Sequence, residues 1–519
     1  MKKGIAMVLA AAMMCMALGG CGEKQVSEGG QTSFTYWAEL PTSAASQIQS
    51  MNDMTMYQEL EKRTGVQITF THPPVGQSAE QFNLLIASGA SELPDMIEYS
   101  WTSYPGGPDK AISDGILLDL TELIDKHAPN LKKQLEENEI YKKQASTDSG
   151  ALYGFPSLNV GKYRTFGGLI IRKDWLDDLG LEMPETLDEW ENVLRQFKEQ
   201  KGAKAPLTFT SGNISTSYHF NNIYDVGLST YVDDETIKFP QMEPGYREYL
   251  ELMHKWYEEG LLDAEYDTNN QTVVDAKMTN GTSGVTYGFI GGTIGRYVNA
   301  MKEKDPNYKL AAAQFPVKNK GDEPRFMECQ KEANTPFVAI TTNCKDPEAA
   351  VKWLDYMYSE EGMILKNFGV EGVTYNEVDG HYVYTDEILH NADGLSIAEA
   401  MAKHFRANAP SPGFNQHEDY LQQYYELPEQ REALEVWTKY TENAKETVVP
   451  PITSTLEENE ELISLKNEIE TYTNEMVVKF IKGIEPLSNY DKFLEELKKM
   501  GVERLIELNQ AALDRYYQR

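Results

Sequence analysis

The sequence predicts an α/β protein built from more than one lobe, and three observations carry that prediction. Segments with strand-like alternation are followed by segments with helical spacing, an order typical of βαβ units and a parallel sheet. The chain has 519 residues, beyond the ~250–300 residues at which a single core stops growing. Hydrophobic residues make up 41% and charged residues 25% of it, which is enough apolar material for ordered cores.

Strands and helices alternate through the first hundred residues. The alternation consists of strands at 33–39, 66–70 and 95–99, a helix that carries Met56 and Leu60 and stops at Gly65, and a helix at 80–88. Because a helix lies between each strand and the next, we expect the strands to run parallel.

The same pattern restarts further along the chain. Its elements are strands at 168–172 and 283–289, a helix from Asp174, a helix opened by the capping box Thr186–Glu189, and a helix capped by Asp346. In a capping box, the Thr hydroxyl and the Glu carboxylate satisfy free backbone amides. Helical spacing then dominates residues 456–480 and 490–517, so the C-terminal third is predicted to be mostly helical. The five tryptophans at helical spacing among apolar residues are assigned to packing: Trp175, Trp190, Trp256, Trp353 and Trp437.

The N-terminus predicts export and lipidation. Lys2 and Lys3 precede an apolar run at 5–18, and small residues follow, as in a secretory signal. The run is shorter than the ~20 residues that span a bilayer, which disfavours an uncleaved anchor. Leu18-Gly19-Gly20-Cys21 resembles a bacterial lipobox, in which the cysteine carries lipid. We therefore expect a signal peptide at 1–20, a lipidated Cys21, a Gly-rich tether through residue 32, and a location on the extracellular face of the cell membrane.

Charge and cysteine content limit the partners. The formal net charge of −33 argues against binding nucleic acid or an anionic lipid surface, because phosphate would be repelled. After Cys15 and Cys21, only Cys329 and Cys344 remain. They are consistent with one disulfide or with two buried thiols, and the sequence leaves both possibilities open.

Several motifs, taken in order, resemble the extracellular solute-binding lipoproteins of ABC sugar importers. The motifs are Leu93–Ile97, Asp114–Leu120, Tyr153–Pro156, Leu169–Leu176, Pro336–Ile340 with Lys345–Ala350, and the tail from Asn489 to Tyr516. The tail is similar to that of a long-tailed, oligosaccharide-binding subgroup. The resemblance implies a two-lobed, periplasmic-binding-protein-like α/β fold with three interlobe crossings and a helical C-terminal extension. It implies a first lobe at 33–158 plus 316–370 and a second lobe at 159–315 plus 371–519.

The resemblance also implies a function. A carbohydrate, most simply an oligosaccharide, would be trapped by hinge closure and passed to ABC permease subunits. The protein would be a monomer and no enzyme. The alternatives are a non-sugar cargo such as a peptide, or a secreted lipoprotein glycoside hydrolase.

Metal and cofactor sites are not expected. The subgroup's calcium loop would follow the capping-box helix, but residues 198–206 contain three lysines and no Asp, so they lack the oxygen ligands that calcium needs. The run Asp263–Asn269 spaces acids like an EF-hand but has Thr268 where the turning Gly belongs. We interpret it as a solvated helix-to-loop segment.

Catalytic signatures are also missing from the sequence. It contains no Gly-x-Ser-x-Gly elbow, no phosphate-binding loop and no histidine pair at i, i+4. The run Gly291–Gly295 lacks the dinucleotide fingerprint, and we interpret it as a flexible turn that feeds a helix near the cleft.

Candidate ligand contacts come from strand ends and predicted crossings. Aromatic rings cover the C–H faces of sugars, and carboxylates or Arg bond to their hydroxyls. Ligands of α/β proteins bind beyond the carboxyl ends of the strands. The candidates that meet these criteria are Trp37, Glu39, Trp101, Tyr104, Tyr153, Phe155, Arg164, Tyr287, Phe289 and Glu371. For Tyr287 and Phe289 core packing is the stronger alternative. For Arg164 and Glu371 an ion pair with neighbouring charges at a hinge is an open alternative.

Overall fold

The computed structural model describes residues 32–159, 161–407 and 409–519. The predicted signal peptide, the lipidation site Cys21 and the tether through residue 31 lie outside these residues. None of the helices described is both long enough and apolar enough to cross a membrane.

The strands alternate with helices as predicted and are followed by a helical C-terminal region. In chain order, the strands are β1 (Thr32–Trp37), β2 (Val66–Thr71), β3 (Met96–Tyr99), β4 (Phe155–Asn159), β5 (Gly167–Arg172), β6 (Leu207–Thr208), β7 (Tyr231–Asp233), β8 (Thr236–Lys238), β9 (Val285–Phe289), β10 (Leu310–Ala312), β11 (Ala333–Ile340), β12 (Tyr375–Val378), β13 (His381–Tyr384) and β14 (Gly413–Asn415). The α-helices are α1 (Thr42–Ala45), α2 (Thr55–Thr64), α3 (Ser78–Ala87), α4 (Gly107–Ser113), α5 (Thr121–His127), α6 (Pro129–Glu137), α7 (Glu139–Ala145), α8 (Lys173–Leu179), α9 (Leu187–Gln200), α10 (Asn213–Thr216), α11 (Pro244–Glu258), α12 (Gln271–Thr279), α13 (Arg296–Met301), α14 (Pro347–Asp355), α15 (Glu360–Phe368), α16 (Asp386–Leu389), α17 (Ile397–His404), α18 (Glu418–Tyr424), α19 (Pro428–Thr438), α20 (Thr441–Lys445), α21 (Leu456–Ile481), α22 (Tyr490–Lys499) and α23 (Val502–Gln518).

Two sheets define two lobes. The first lobe contains a six-stranded sheet in the order β14-β4-β11-β3-β1-β2, and the second contains a four-stranded sheet in the order β10-β5-β9-β6. β1 runs parallel to β2 and β3, as predicted. Both sheets also contain antiparallel pairs, because β11 is antiparallel to β3 and β4, and β5 is antiparallel to β9 and β10.

The direction of these two strands follows from the connections between the lobes. Both β5 and β11 follow a segment that crosses from the other lobe. Each therefore enters its sheet at the edge that faces the other lobe, where the βαβ strands end. A strand that enters at that edge must run opposite to its neighbours.

Three segments connect the lobes. The first joins β4 to β5, the second joins β10 to β11, and the third joins β14 to α19. The predicted boundary at residue 371 places β14 in the second lobe, whereas β14 pairs with β4 in the first lobe's sheet. That part of the predicted division is therefore corrected: the third connection follows Asn415 and does not lie near Glu371.

Helix α19 docks on the second lobe through a glycine contact. The Trp437 indole donates a hydrogen bond to the Ala313 carbonyl at 3.0 Å. A Cβ on Gly168 of β5 would lie 2.5 Å from the same indole nitrogen. Only glycine lets the Trp437 ring come this close to the backbone of β5, which explains why residue 168 is a glycine.

Local signals set several helix ends. Gly65 terminates α2 in the left-handed conformation, and the capping box at Thr186 and the Asp346 cap of α14 form as predicted. The tail differs from prediction, because Gly501 at φ 93° separates α22 from α23. The five tryptophans assigned to packing are all buried. Cys329 and Cys344 are both free thiols.

The C-terminal helices pack mainly on the second lobe and reach back to the first. The phenol of Tyr490 donates to the Gln241 carbonyl at 2.8 Å. The terminal Arg519, whose side chain is buried, contacts Asp148 of the first lobe at 2.6 Å. Arg515 bonds to the same carboxylate at 2.9 Å.

Candidate functional site

A cavity of about 260 Å³ lies where the edges of the two sheets meet. β4 and β14 end at this cavity from the first lobe, and β9 ends at it from the second. Its lining comes from both lobes and all three connections: Asn159, Phe166, Phe289, Ile290, Gly291, Gly292, Gln330, Ala407, Ala409, Pro410, Asn415, Gln416, Tyr420, Leu421, Tyr424 and Tyr425. This interlobe cavity occupies the position that ligands take in α/β proteins, beyond the carboxyl ends of the strands.

An amide cluster, made of Asn159, Gln330, Asn415 and Gln416, forms one wall of the cavity. The Gln330 side-chain oxygen accepts hydrogen bonds from Asn159 Nδ2 at 3.4 Å and from Gln416 Nε2 at 3.1 Å. Asn159 also donates to the Lys331 carbonyl at 2.8 Å. Asn159 is the last residue of β4, where the first connection begins, and Gln330 and Gln416 belong to the second and third connections. The hydrogen bonds of the amide cluster therefore link all three connections at the cavity.

Three oxygens of this cluster have no partner. Asn159 Oδ1, Asn415 Oδ1 and Gln416 Oε1 are buried and accept no hydrogen bond within the described part of the chain. A buried acceptor without a donor costs about 1–3 kcal/mol. Three such atoms on one cavity wall therefore form a set of acceptors that suits a ligand with hydroxyl groups.

Backbone geometry fixes one of these amides. Gln416 has a φ of 63°, in the left-handed region that few residues other than glycine adopt. Strained residues of this kind cluster at ligand-binding positions. The conformation directs the chain from β14 into α18 while keeping the Gln416 amide within reach of Gln330.

Aromatic rings form another part of the cavity lining. Phe289 at the end of β9 is 49% exposed, and Tyr424 from α18 is half-buried. Tyr424 contacts both Tyr420 and Tyr425, with ring centroids 5.4 and 5.1 Å apart. Burial raises the pKa of Tyr424, so its phenol stays protonated at neutral pH and can donate a hydrogen bond. A flat apolar ligand face would be covered by these rings.

The glycine run after β9 forms part of the second lobe's rim. Residues Ile290–Gly295 form a π-helical turn that continues into α13, and Gly291 and Gly292 line the cavity. The predicted turn that feeds a helix near the cleft is thus present. Gln430 of α19 donates to the Ile290 carbonyl at 3.1 Å and holds the turn in place.

A buried ion pair anchors the loop that forms the first lobe's rim. Arg406, at 3% exposure, bonds to both oxygens of Glu98 on β3, at 2.7 and 2.8 Å. The Tyr36 phenol donates to the same carboxylate at 2.7 Å. Arg406 also donates to the Pro410 carbonyl at 3.2 Å. The pair therefore fixes the loop that carries the cavity residues Ala407, Ala409 and Pro410.

An unpaired carboxyl lies behind the aromatic side. The Glu328 Oε2 atom is buried and has no hydrogen-bond partner among the described residues. A Cβ on Gly167 would come within 2.9 Å of Glu328 Oε2 and of the Phe289 ring, so both groups adjoin this glycine. Burial raises the pKa of Glu328 to about 7, because the charged form loses hydration without gaining a partner.

One of the ten predicted ligand contacts, Phe289, is among the residues that line the interlobe cavity. The other nine are not in that lining. Trp101 is fully buried and donates its indole hydrogen to the Ile97 carbonyl at 3.4 Å. Trp37 packs in the same core near Tyr99, with ring centroids 6.1 Å apart. Tyr104 is buried and donates to Asp114 at 2.9 Å. The structure thus places these three rings in the first lobe's core.

The other predicted contacts are also separate from the cavity wall. Tyr153 stacks on Phe337 at 4.8 Å, and Phe155 is fully buried in β4. Tyr287 is buried in the core of the second lobe. Arg164 bonds to the Asn159 carbonyl at 3.0 Å and lies 3.6 Å from Glu332, which is the hinge ion pair expected as its alternative role. Two carboxylates, Glu39 and Glu371, are exposed.

Sequence reasoning missed most of the cavity residues. The amide cluster comes from three segments that are far apart in sequence, and Asn and Gln in loops carry no distinctive motif. Tyr420, Tyr424 and Tyr425 have helical spacing, which more often indicates core packing. The only available signal was the excess of tyrosine, with 30 in the chain.

The acidic run at 263–269 differs from its interpretation as a solvated segment. Asp263 and Asn269 are buried. The Lys277 ammonium lies among Asp263 Oδ2, Glu265 Oε2 and Asn269 Oδ1 at 2.7, 2.9 and 3.0 Å. A lysine therefore supplies the positive charge between these oxygens. Within the described ranges, no group of three or more His, Cys, Asp or Glu side chains could hold a metal ion.

Two lobes, three connections and a cavity between the sheet edges define the class of two-lobed solute-binding proteins. Residues 44–364 match the family model for bacterial extracellular solute-binding protein. The chain belongs to this family. The family is one of binding proteins that act outside the cytoplasm.

Curated relatives cover much of the chain. It is 25% identical over 498 residues to the fructooligosaccharide ABC transporter substrate-binding protein FusA of Streptococcus pneumoniae serotype 4, covering 90% of this chain and 87% of the relative. It is 27% identical to lipoprotein LipO of Bacillus subtilis, covering 76% and 78%. It is 24% identical to the polygalacturonan/rhamnogalacturonan-binding protein YtcQ of Bacillus subtilis, covering 69% and 71%.

Solved structures share the fold. The alginate-binding protein AlgQ2 without calcium ion superposes with a TM-score of 0.71 at 23% identity, covering 93% of this chain and 98% of that one. A human milk oligosaccharide (HMO)-binding, ABC-transporter-associated solute-binding protein from Bifidobacterium longum infantis gives a TM-score of 0.76 at 18% identity, covering 94% and 99%. The two-lobed α/β fold predicted from the sequence is thereby confirmed.

Proposed function

We propose that this protein captures an oligosaccharide in the interlobe cavity by hinge closure and delivers it to the permease subunits of an ABC transporter. The proposal rests on one observation, which is that three unpartnered amide oxygens belong to residues that line the same cavity as the exposed ring of Phe289 and the half-buried ring of Tyr424. Sugars present hydroxyl rims and C–H faces, which match acceptors and rings respectively. Relatives whose names specify fructooligosaccharide or polygalacturonan binding support the same class of cargo.

The position of the amide cluster explains how binding would couple to closure. Gln330 and Gln416 belong to segments about which the lobes must rotate, and Asn159 lies where the remaining such segment leaves β4. A ligand that bonds to them and also contacts Phe289 on the other lobe interacts with both lobes only when they are close together. Such a ligand binds the closed state more tightly, and this difference in affinity shifts the equilibrium toward closure.

The cavity offers little support for the hydrolase alternative. Glycoside hydrolysis commonly requires two carboxyl groups on either side of the scissile bond. None of the described residues that line the cavity is Asp or Glu. A binding role without catalysis is therefore part of the proposal.

The proposal places the protein on the outer face of the cell membrane, as a monomer held by lipid on Cys21. The extracellular character of the family and the lipoprotein relative LipO support this location. Labelling with a palmitate analogue should mark the wild-type protein and leave Cys21→Ala unmarked and released into the medium. Lipid labelling of the Cys21→Ala variant would contradict the anchor assignment.

Titration calorimetry against a panel of oligosaccharides, with a peptide library alongside, tests the cargo. We expect micromolar or tighter binding of at least one glycan, a smaller radius of gyration by X-ray scattering when it binds, and no new reducing ends. Hydrolysis of the bound glycan would establish an enzyme instead. Tight peptide binding without glycan binding would establish a different cargo.

A further inference from the structure

The residues that line the interlobe cavity carry no charge. The lining contains Asn, Gln, Phe, Tyr, Ile, Leu, Ala, Pro and Gly, and none of its described members is Asp, Glu, Lys, Arg or His. The adjoining residues in sequence that lie outside the described ranges, Val160 and Asn408, are uncharged types as well. The cavity therefore offers a ligand hydrogen bonds and ring contacts without a formal charge.

Each charged group close to the cavity is engaged elsewhere or has the wrong sign for an anion. Arg406 is bonded to Glu98 on both oxygens. Arg164 is directed to backbone carbonyls and to Glu332. Lys331 lines a second cavity that is formed with Tyr516 and Tyr517 of the C-terminal helix. Arg431 donates to the Tyr425 and Glu426 carbonyls, and the buried Lys366 donates to the Ser411 carbonyl. Glu328 is also a neighbour, and it is acidic.

The buried polar atoms of the amide cluster that have no partner among the described residues are oxygens. They are Asn159 Oδ1, Asn415 Oδ1 and Gln416 Oε1. The side-chain nitrogen of Asn159 donates to the Lys331 carbonyl, that of Asn415 to the Ser157 hydroxyl, and that of Gln416 to the Gln330 side-chain oxygen. An amide oxygen carries partial negative charge. A ligand carboxylate placed against these three oxygens would lose hydration without gaining a cation, an arrangement that costs free energy.

We infer that the cargo of this cavity is a neutral oligosaccharide and that acidic, uronate-containing glycans are excluded. The inference rests on the proposed function and deepens it. Among relatives, the named specificities include both neutral fructooligosaccharide and acidic polygalacturonan, so sequence similarity does not decide between them. The charge-free lining with its acceptor wall favours the neutral class.

The test compares matched ligands. Neutral tri- and tetrasaccharides are titrated into the full folded chain beside the same sugars oxidised at carbon six to uronates, at low and moderate salt. We expect each uronate to bind at least roughly tenfold more weakly than its neutral counterpart, because its charge is desolvated without a cation. Preferential binding of uronates would overturn this inference and leave the proposed glycan function standing. Binding of neither class would overturn both.

A charge-insertion variant provides an independent readout. Ala409→Arg adds a cation at the cavity rim, and Asn474→Arg adds the same charge on the exposed face of α21 as a control. Ala409→Arg should narrow the preference for neutral over acidic sugars by roughly tenfold, whereas the control should leave it unchanged. If both variants changed the preference for neutral over acidic sugars equally, that preference would come from the net charge of the protein. The uncharged lining of the cavity would then not be its cause.

Discussion

The side-chain oxygen of Gln330 accepts a hydrogen bond from Gln416 Nε2 at 3.1 Å. Gln330 belongs to the connection that enters β11, and Gln416 to the connection that leaves β14. The bond therefore joins two of the three segments about which the lobes would rotate, inside the cavity where the ligand is proposed to bind. Ligand contact and hinge geometry depend on the same two amides.

Removal of the Gln416 amide should weaken ligand binding. In Gln416→Ala the cavity loses an acceptor and the Gln330 contact, which together are worth about 1–3 kcal/mol, or roughly 5- to 150-fold in Kd. Gln423→Ala removes a glutamine of α18 that bonds to the Tyr382 carbonyl at 2.8 Å outside the cavity lining, so it serves as the matched control. Equal affinities for both variants, measured by calorimetry, would show that the amide cluster is not part of the site.

Two aromatic substitutions should affect different properties, one the ligand affinity and the other the stability of the fold. Phe289→Ala should reduce ligand affinity by roughly tenfold with little change in melting temperature, because the ring is half-exposed at the cavity. Trp101→Ala should lower the free energy of unfolding by about 3–5 kcal/mol, because it empties a fully buried site. The milder Trp101→Phe should fold and bind ligand as the wild type does. A loss of affinity in Trp101→Phe with unchanged stability would restore Trp101 as a ligand contact.

Loss of the buried Arg406 should affect both stability and binding. Arg406→Met leaves Glu98 buried without its cation, which should cost about 3–5 kcal/mol of unfolding free energy. It should also weaken ligand binding, because the loop that carries Ala409 loses its anchor. The exposed pair of Arg504 and Glu461 offers a control, since Arg504→Met should leave the free energy of unfolding nearly unchanged.

The double variant Glu98→Gln/Arg406→Met separates the two effects of the ion pair. It removes the unpaired charge and should recover much of the stability lost in Arg406→Met. Chemical denaturation of the three variants measures this coupling. A double variant as unstable as Arg406→Met would mean that packing, and not the buried charge, is responsible for the loss.

Glu328 should make stability depend on pH. Its pKa is raised by burial from 4.5 to about 7, so the folded state holds this proton at pH values where the unfolded state has released it. The free energy of unfolding should therefore fall as pH rises from about 4.5 to about 7, and Glu328→Gln should remove this fall. The variant should gain up to about 3 kcal/mol over the wild type at pH 8 and nothing at pH 4.

Glu371→Gln is the matched control for this experiment, because Glu371 is exposed. Its free energy of unfolding should follow the wild-type pH dependence. Denaturation curves at pH 4, 6 and 8 give the comparison. An identical pH dependence of Glu328→Gln and the wild type would show that the carboxyl titrates normally in the folded protein.

Local sequence signals predicted the elements well. The capping box at Thr186, the Asp346 cap and the stop at Gly65 depend on contacts within a few residues, and all three form as predicted. Strand direction was predicted less well, because it depends on which lobe a strand enters from. The antiparallel strands β5 and β11 follow connections that no local pattern identifies.

The candidate site was the least predictable part. Aromatic residues at strand ends were reasonable candidates, but the exposure of a side chain is decided by the loop that covers it. Trp101 lies just beyond the carboxyl end of β3 as expected and is nevertheless fully buried. Phe289 occupies the equivalent position at the end of β9 and is half-exposed, because the glycine turn that follows leaves its ring uncovered.

The sequence by itself determined the alternation of strands and helices, the motifs that resemble solute-binding lipoproteins, and the helix ends, since each depends on neighbouring residues. Only the tertiary structure decided which residues face the cavity. Asn159, Gln330 and Gln416 are separated by more than eighty residues from one another, and their side chains meet because three connections cross at one place. The burial of three unpartnered oxygens depends on that meeting, so it cannot be read from any single segment of the chain.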